Sequence, residues 1–219
     1  MQGGSLLQDD LKTPAIESPE GVEAIAWCQN WYKEGLIPPS NSIKGSQIDT
    51  ANNFFVKRGV GMMVSSDFNM ATLKGQIPED RWTATYLFKD AKPATNMGGN
   101  ALVVTRSAGD NEEEAAKFVE FVCNPDNMKY FCDQSLFVPV RQDLVGKTLD
   151  WVYRPDLMKR FSEQAATLSP EMARLQSLPQ FGAMAQVLTD QLDLCWSGQQ
   201  SPQDTAKAIS DGVKRALAS

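Results

Sequence analysis

Three short stretches carry residues able to do chemistry. Ser65-Ser66-Asp67-Phe68 sets hydroxyls, a carboxylate and a flat ring side by side. Gly98-Gly99-Asn100 offers bare backbone and an amide, and Trp151, Tyr153 and Arg154 group two rings with a guanidinium. Rings stack on the apolar C–H face of a hydroxylated solute, while carboxylates, amides and guanidinium groups bond its hydroxyls. This is chemistry of recognition rather than of bond-making. Glycan hydrolysis would need two carboxylates held across a cleft at a fixed separation, and Asp67 is the one acid the sequence places near a cleft, so no catalytic residue is assigned. Each stretch also has a plainer reading. Phe68 can be core, with Asp67 or Ser66 capping the next helix. The Gly pair can serve a tight strand entry. Trp151 and Arg154 can be a packed helix end with a surface ion pair. Arg141, closing the Phe137-Val138-Pro139-Val140-Arg141 turn, reads as structural.

Composition removes other chemistries. The chain has 219 residues, 42% of them apolar, enough to bury a real core as one large domain or two small ones. Its net charge of -6 leaves no basic face to hold nucleic acid or an anionic membrane. Without histidine there is no Ser-His-Asp or Cys-His nucleophile system and no His-based zinc site. The four cysteines lack Cys-x-x-Cys spacing. Cys28, Cys123 and Cys195 fall in helical patterns as small core residues, and a Cys123–Cys132 bridge stays open. Glu112-Glu113-Glu114 is a helix start matched to the dipole rather than a metal site, and neither metal nor cofactor is expected. No apolar run is long enough to span a membrane.

The elements that must position these residues are mostly helical. Ser18-Pro19-Glu20 opens a helix with Val22, Ile25, Ala26 and Tyr32 inward, ended by Gly35. Pro38 to Thr50 reads as a polar loop. A short helix from Asn53, a Gly turn and a buried strand Val60–Val64 follow. Trp82–Leu87 and residues 99–105 read as further strands, lying side by side. Asp110 or Asn111 caps a helix running to Val122, with Ala115, Phe118, Val119 and Val122 on its inner face. Asn124-Pro125 stops it and starts another. Phe118, Phe121, Trp27, Trp31 and Phe161, at helical spacing, read as core. Helices are also expected at 151–160 and 170–175. Phe181, Met184, Ala185, Leu188, Leu192 and Cys195 mark a long helix ending at Gly198. Ser201-Pro202 opens the last, with Ala206, Ile209, Val213 and Leu217 inward.

In this order the segments resemble family 1 extracellular solute-binding proteins, the sugar-capturing components of ABC importers. The resemblance is carried by Gly98-Gly99-Asn100 with its following strand and helix, by Asn124-Pro125-Asp126, and by Phe137-Val138-Pro139-Val140-Arg141. Ser18-Pro19-Glu20-Gly21-Val22-Glu23-Ala24, Trp31-Tyr32-Lys33-Glu34-Gly35, the segment 53–63 and the closing helix pair add to it. It runs from end to end of this chain and covers the C-terminal half of family sequences about twice as long.

The resemblance implies an α/β fold of the type II periplasmic-binding-protein kind, helix-rich, with one lobe largely present and the other partial. Residues 1–76 and 145–219 would form the first lobe, and 77–144 a piece of the second. It implies non-catalytic capture of a carbohydrate and delivery to ABC permease subunits. The setting would be periplasmic or extracellular, with a lipoprotein-type tether in the full-length protein. Met1-Gln2-Gly3-Gly4-Ser5 is no signal peptide, so that segment is expected outside this chain. The family's cleft aromatic falls at Phe68, and with the other two stretches read above the candidate ligand set is Ser66, Asp67, Phe68, Gly99, Asn100, Trp151 and Arg154. In the maltodextrin-binding branch, an aromatic and an arginine fall at Ala185 and Thr189. Neither residue here can stack or make a bidentate contact, which points to a ligand other than maltodextrin. A half-sheet edge left open would favour pairing with a second copy. The alternative reading is therefore a stand-alone or self-associating interaction domain without ligand-binding activity.

Overall fold

A computed structural model describes residues 3–37, 53–91, 93–96, 98–144 and 149–218. The expected loop Pro38–Thr50 and the lobe crossing near 145 lie outside them. Contacts divide the chain into two units: Met1–Met63, Leu87–Ala94 and Leu168–Ser219 in the first, Val64–Tyr86 and Thr95–Thr167 in the second. Both units are discontinuous, with boundaries at 63/64, 86/87, 94/95 and 167/168.

The first unit is built on three long helices. α1 (Pro19–Lys33) is capped by Ser18, whose Oγ accepts from Gly21 N at 3.2 Å, with Pro19 in the first turn. Gly35, at φ 69°, follows its end, a backbone state that an L side chain rarely adopts. A helical turn α2 covers 53–56. Later in the chain, α8 (Phe181–Trp196) and α9 (Pro202–Leu217) form a hairpin through Gly198, also at positive φ. Ser201 caps α9 through Asp204 N and donates its own hydroxyl to the Asp204 carboxylate at 2.6 Å. Thr205, Ala206, Ile209, Ser210, Gly212, Val213 and Ala216 are the buried stripe of α9. Ala206, Ile209, Val213 and Ala216 of this stripe pack with Ile25, Met184, Cys195 and Leu7 in one apolar core, each large side chain contributing about 1.5–3 kcal/mol. Trp27, Trp31 and Phe88 form a half-open ring cluster, Trp27 and Trp31 with centroids 4.2 Å apart.

The second unit holds α3 (Asn69–Leu73), α4 (Glu112–Cys123), α5 (Pro125–Ser135) and α6 (Pro155–Ala165). α7 (Pro170–Gln176), capped by Ser169, belongs to the first. The second unit's core is Met70, Cys132, Leu136, Leu149, Trp151, Tyr153, Leu157 and Met158.

Three expectations are corrected. Val60–Val64, Trp82–Leu87 and 99–105 form no paired strand; the sole bridge among the described residues joins Leu7 and Pro14. Residues 82–86 are held instead by α6. Arg160 donates to Ala84 O and to Thr83 Oγ1, and the Tyr86 hydroxyl donates to Glu163. Val60–Val64 is not buried, as Met62 and Val64 are exposed. In α4 no residue is fully buried, and Phe118 and Phe121, read as core, are 60% and 63% exposed. Their helical spacing is real, but a periodic stripe does not say that a neighbour covers it. The Cys123–Cys132 bridge that the sequence left open is not formed, and both are free thiols.

Gly212 offers a test of the α8–α9 packing. A Cβ there would lie 2.4 Å from Val187 Cγ1 and 3.4 Å from Val187 Cβ, so a stiff β-branched side chain must give way. Gly212→Ala gains about 1 kcal/mol of helix propensity but is expected to lose about 1–3 kcal/mol to overpacking. Urea titration should therefore show a net loss of stability, reversed when Val187→Ala is added.

Candidate functional site

Ser65–Phe68 leads into α3, whose Met70 and Leu73 are sunk in the unit's interior. Asn69 N and Met70 N donate to Ser66 O and Asp67 O at 3.2 and 2.9 Å, closing the first turn from the backbone. No side chain caps α3. The Asp67 carboxylate reaches across the chain instead, and its Oδ2 accepts from Val138 N at 2.8 Å. The turn 137–141 is gripped at two further points. Trp151 Nε1 donates to Phe137 O at 3.1 Å, and Arg141 Nη1 donates to Cys123 O at 2.9 Å. Arg141 also pairs with Asp143, confirming its structural reading.

This clamp leaves Phe68 on the outside, with its side chain 39% exposed. Ring, Ser66 and the Asp67 carboxylate thus stand on one fixed turn, with no partner for Asp67 Oδ1 among the described residues. That arrangement can offer a ring face and a hydroxyl acceptor together. The neighbouring Cys132 thiol is pushed up to about 11 by burial, with Asp133 and then Asp67 adding to the rise, so it is a neutral core thiol at physiological pH.

The other candidates divide. Trp151 is buried at 5% exposure and acts on the turn through Phe137 O, so in this unit it is a core and positioning residue rather than an open ring. Tyr153 is also buried, with Lys74 Nζ 5.2 Å above its ring. Arg154 adopts φ 43°, immediately before Pro155 opens α6. Its guanidinium lies 5.5 Å over the Trp82 ring and donates to Glu79 O at 3.0 Å and to both Asp156 oxygens. The pair with Asp156 raises the arginine and lowers the aspartate from their ordinary values. These contacts make Arg154 a helix-end anchor. Gly98, Gly99 and Asn100 are exposed. A Cβ at either glycine would meet nothing, and Asn100 makes no hydrogen bond among the described residues. The structure therefore sets Ser66, Asp67 and Phe68 on one turn and does not tie Gly99 and Asn100 to it. In the first unit, Thr189 Oγ1 donates to Ala185 O at 3.0 Å, so the hydroxyl at the branch's arginine position is turned onto its own helix.

Sequence reasoning did not find the ring–cation cluster of Lys74, Glu79 and Trp82 around Tyr153 and Arg154. Trp82 read as a strand residue, and only the Pro78-Glu79-Asp80-Arg81 turn signal before it hinted otherwise. Trp82 Nε1 and Tyr153 Oη are buried without a hydrogen-bond partner among the described residues, and burial, followed by the Glu79 carboxylate, raises the tyrosine above its ordinary value. No metal-ligand cluster occurs among the described residues, and no helix there is long and apolar enough to cross a membrane.

Comparison with known proteins places this geometry. Residues 1–192 match the family described as bacterial extracellular solute-binding protein, and the chain belongs to that family. No curated protein matches it in sequence. Among solved structures, it is similar to an ABC transporter solute-binding protein from Thermotoga lettingae bound with α-D-tagatose. That likeness has a TM-score of 0.81 at 24% identity, over 99% of this chain and 54% of that one. An ABC substrate-binding protein from Listeria monocytogenes in complex with cycloalternan gives 0.76 at 17% identity, over 99% and 54%. The maltose/maltodextrin-binding domain from Bdellovibrio bacteriovorus bound to maltotriose gives 0.67 at 15%, over 99% and 55%. These likenesses establish the type II periplasmic-binding-protein α/β fold. The chain spans about half the length of the structures it matches.

Removing the clamp tests the site's geometry. Asp67→Ala leaves the Val138 N–H without its charged acceptor and should cost about 1–3 kcal/mol of stability in a urea titration. Asp67→Asn, which keeps an acceptor, should cost less. Equal losses in the two variants would mean that the carboxylate's role is not to hold that N–H.

Proposed function

We propose that this chain supplies one wall of a carbohydrate-binding site in an ABC importer's extracellular solute-binding protein. The supporting observation is the half-exposed Phe68 ring beside an Asp67 carboxylate fixed by Val138. The family's extracellular, solute-binding character and the sugars bound by structural neighbours favour the same reading. Ser66, Asp67 and Phe68 are the core of the ligand set. Gly99 and Asn100 offer backbone and amide from a separate exposed segment, and Trp151 and Arg154 contribute by holding the wall. The lobe assignment, 1–76 with 145–219 and 77–144 apart, belongs to this proposal.

Capture here is non-catalytic. The ligand is held by ring stacking and hydroxyl bonds and passed to permease subunits in the membrane, from a protein tethered outside the cell. Ala185 and Thr189 favour a solute other than a linear maltodextrin.

A second reading, self-association into a homodimer, is favoured by the outward Phe118 and Phe121 of α4 and by Leu102, Val103 and Val104, with Val103 73% exposed.

Thermal melting with α-D-tagatose, cycloalternan and maltotriose separates the two. A bound sugar at about 100 times its Kd adds about 2.7 kcal/mol, which raises Tm by several degrees. At least one of the first two is expected to do so, with maltotriose weakest and the shift abolished by Phe68→Ala. A shift that survives in Phe68→Ala removes that residue from the site. No shift with any sugar, together with a mass that grows with concentration, favours the second reading.

A further inference from the structure

α1 and α8 each carry a cysteine on the face they share. Ile25, Cys28, Gln29 and Tyr32 follow the helical period, which brings them to one side of α1. Ile25 and Cys195 belong to the same buried core. Gln29, itself buried, donates its amide to Cys195 O at 2.7 Å and to Gln200 O at 3.2 Å. One turn along, the Tyr32 and Trp196 rings stack at 5.4 Å and 15°. These contacts bracket Cys28, fixing its turn of α1 against the turn of α8 that carries Cys195. Cys195 is fully buried, Cys28 half-buried, and both thiols are free.

We propose that Cys28 and Cys195 are a latent dithiol that closes into a disulfide across the α1–α8 contact when the protein meets an oxidising exterior. The family's extracellular setting enters only as the source of oxidant. The oxidant is a disulfide of the small-molecule or oxidoreductase class. The half-buried Cys28 is the entry point. Its thiolate attacks one sulfur of the oxidant, forming a mixed disulfide and expelling one thiolate. Cys195, deprotonated, then attacks Cys28 Sγ and expels the second thiolate. Two protein thiols and one oxidant disulfide thus give one protein disulfide and two small thiols. Burial, with Cys195 as the second cause, raises the Cys28 thiol above its ordinary value. The exchange therefore runs slowly at neutral pH and faster in mild alkali. A bond here would link residues far apart in sequence, where closing the chain restricts the unfolded state most. It would leave the Phe68 turn untouched, because both cysteines lie in the first unit.

The test treats the whole chain with glutathione disulfide at mildly alkaline pH and reads intact mass, peptide map and melting. Expected is the loss of two hydrogens, a linked pair of peptides containing residues 28 and 195, and a Tm raised by roughly 5 °C. Dithiothreitol should reverse all three. Cys28→Ser should melt like the reduced wild type yet show neither the link nor the rise. The proposal is overturned by a link between Cys123 and Cys132 alone, by a stable glutathione adduct on Cys28 with Cys195 still titrating as a thiol, or by an unchanged mass.

Discussion

The Ser65–Phe68 turn depends on one hydrogen bond, from Val138 N to the Asp67 carboxylate at 2.8 Å. It ties two turns that local sequence leaves unrelated, and an ionised acceptor makes it stronger than a neutral backbone bond. Trp151 secures the same turn from the other side, and Met70 and Leu73 root the helix that follows. The Phe68 ring is consequently held on a rigid base rather than on a free loop. A ring fixed in advance loses little entropy when a ligand stacks on it, which is the general route to affinity from small contacts.

The two units solve their packing differently. In the first, α9 buries a full stripe against α1 and α8, and Gly212 lets α9 approach Val187 at a distance that no side chain would permit. In the second, backbone pairing is replaced by side chains. Arg160 and Glu163 of α6 hold 82–86, and Lys129 joins Asp133 to Asp150. The Asp133–Lys129 pair sits half inside the unit, with Asp133 Oδ1 buried and unpartnered among the described residues. The aromatic side of α4 is exposed, with Phe118 and Phe121 more than half open.

Legibility from sequence followed the range of the interaction. Helix starts were readable because caps are local: Ser18, Asn124 and Ser201 each accept the expected backbone N–H. The inward positions Ala206, Ile209 and Val213 were readable because a 3.6-residue period and a neighbouring helix agree. Phe118 and Phe121 were misread for the complementary reason, since period alone does not supply the partner that buries a stripe. The strands failed similarly. Val103 and Val104 have strand composition, but pairing is a property of two segments, and none of the described segments pairs with them. For Asp67, the alternatives of cap and cleft residue both missed the clamp on Val138, a contact across 71 positions with no local signature. Trp151 was legible as a ring of consequence but not as a buried one. Arg154 fell to its plainer reading because Pro155 and Asp156, its immediate neighbours, recruit it to the helix end.

Hydrogen exchange by mass spectrometry, with and without saturating α-D-tagatose or cycloalternan, tests the central claim most directly. The account requires new protection in peptides covering 65–70 and 137–140, because a ligand on Phe68 tightens both sides of the Asp67–Val138 bond. Protection confined to α1, α8 and α9, or none at either turn while the sugar is demonstrably bound, would contradict it.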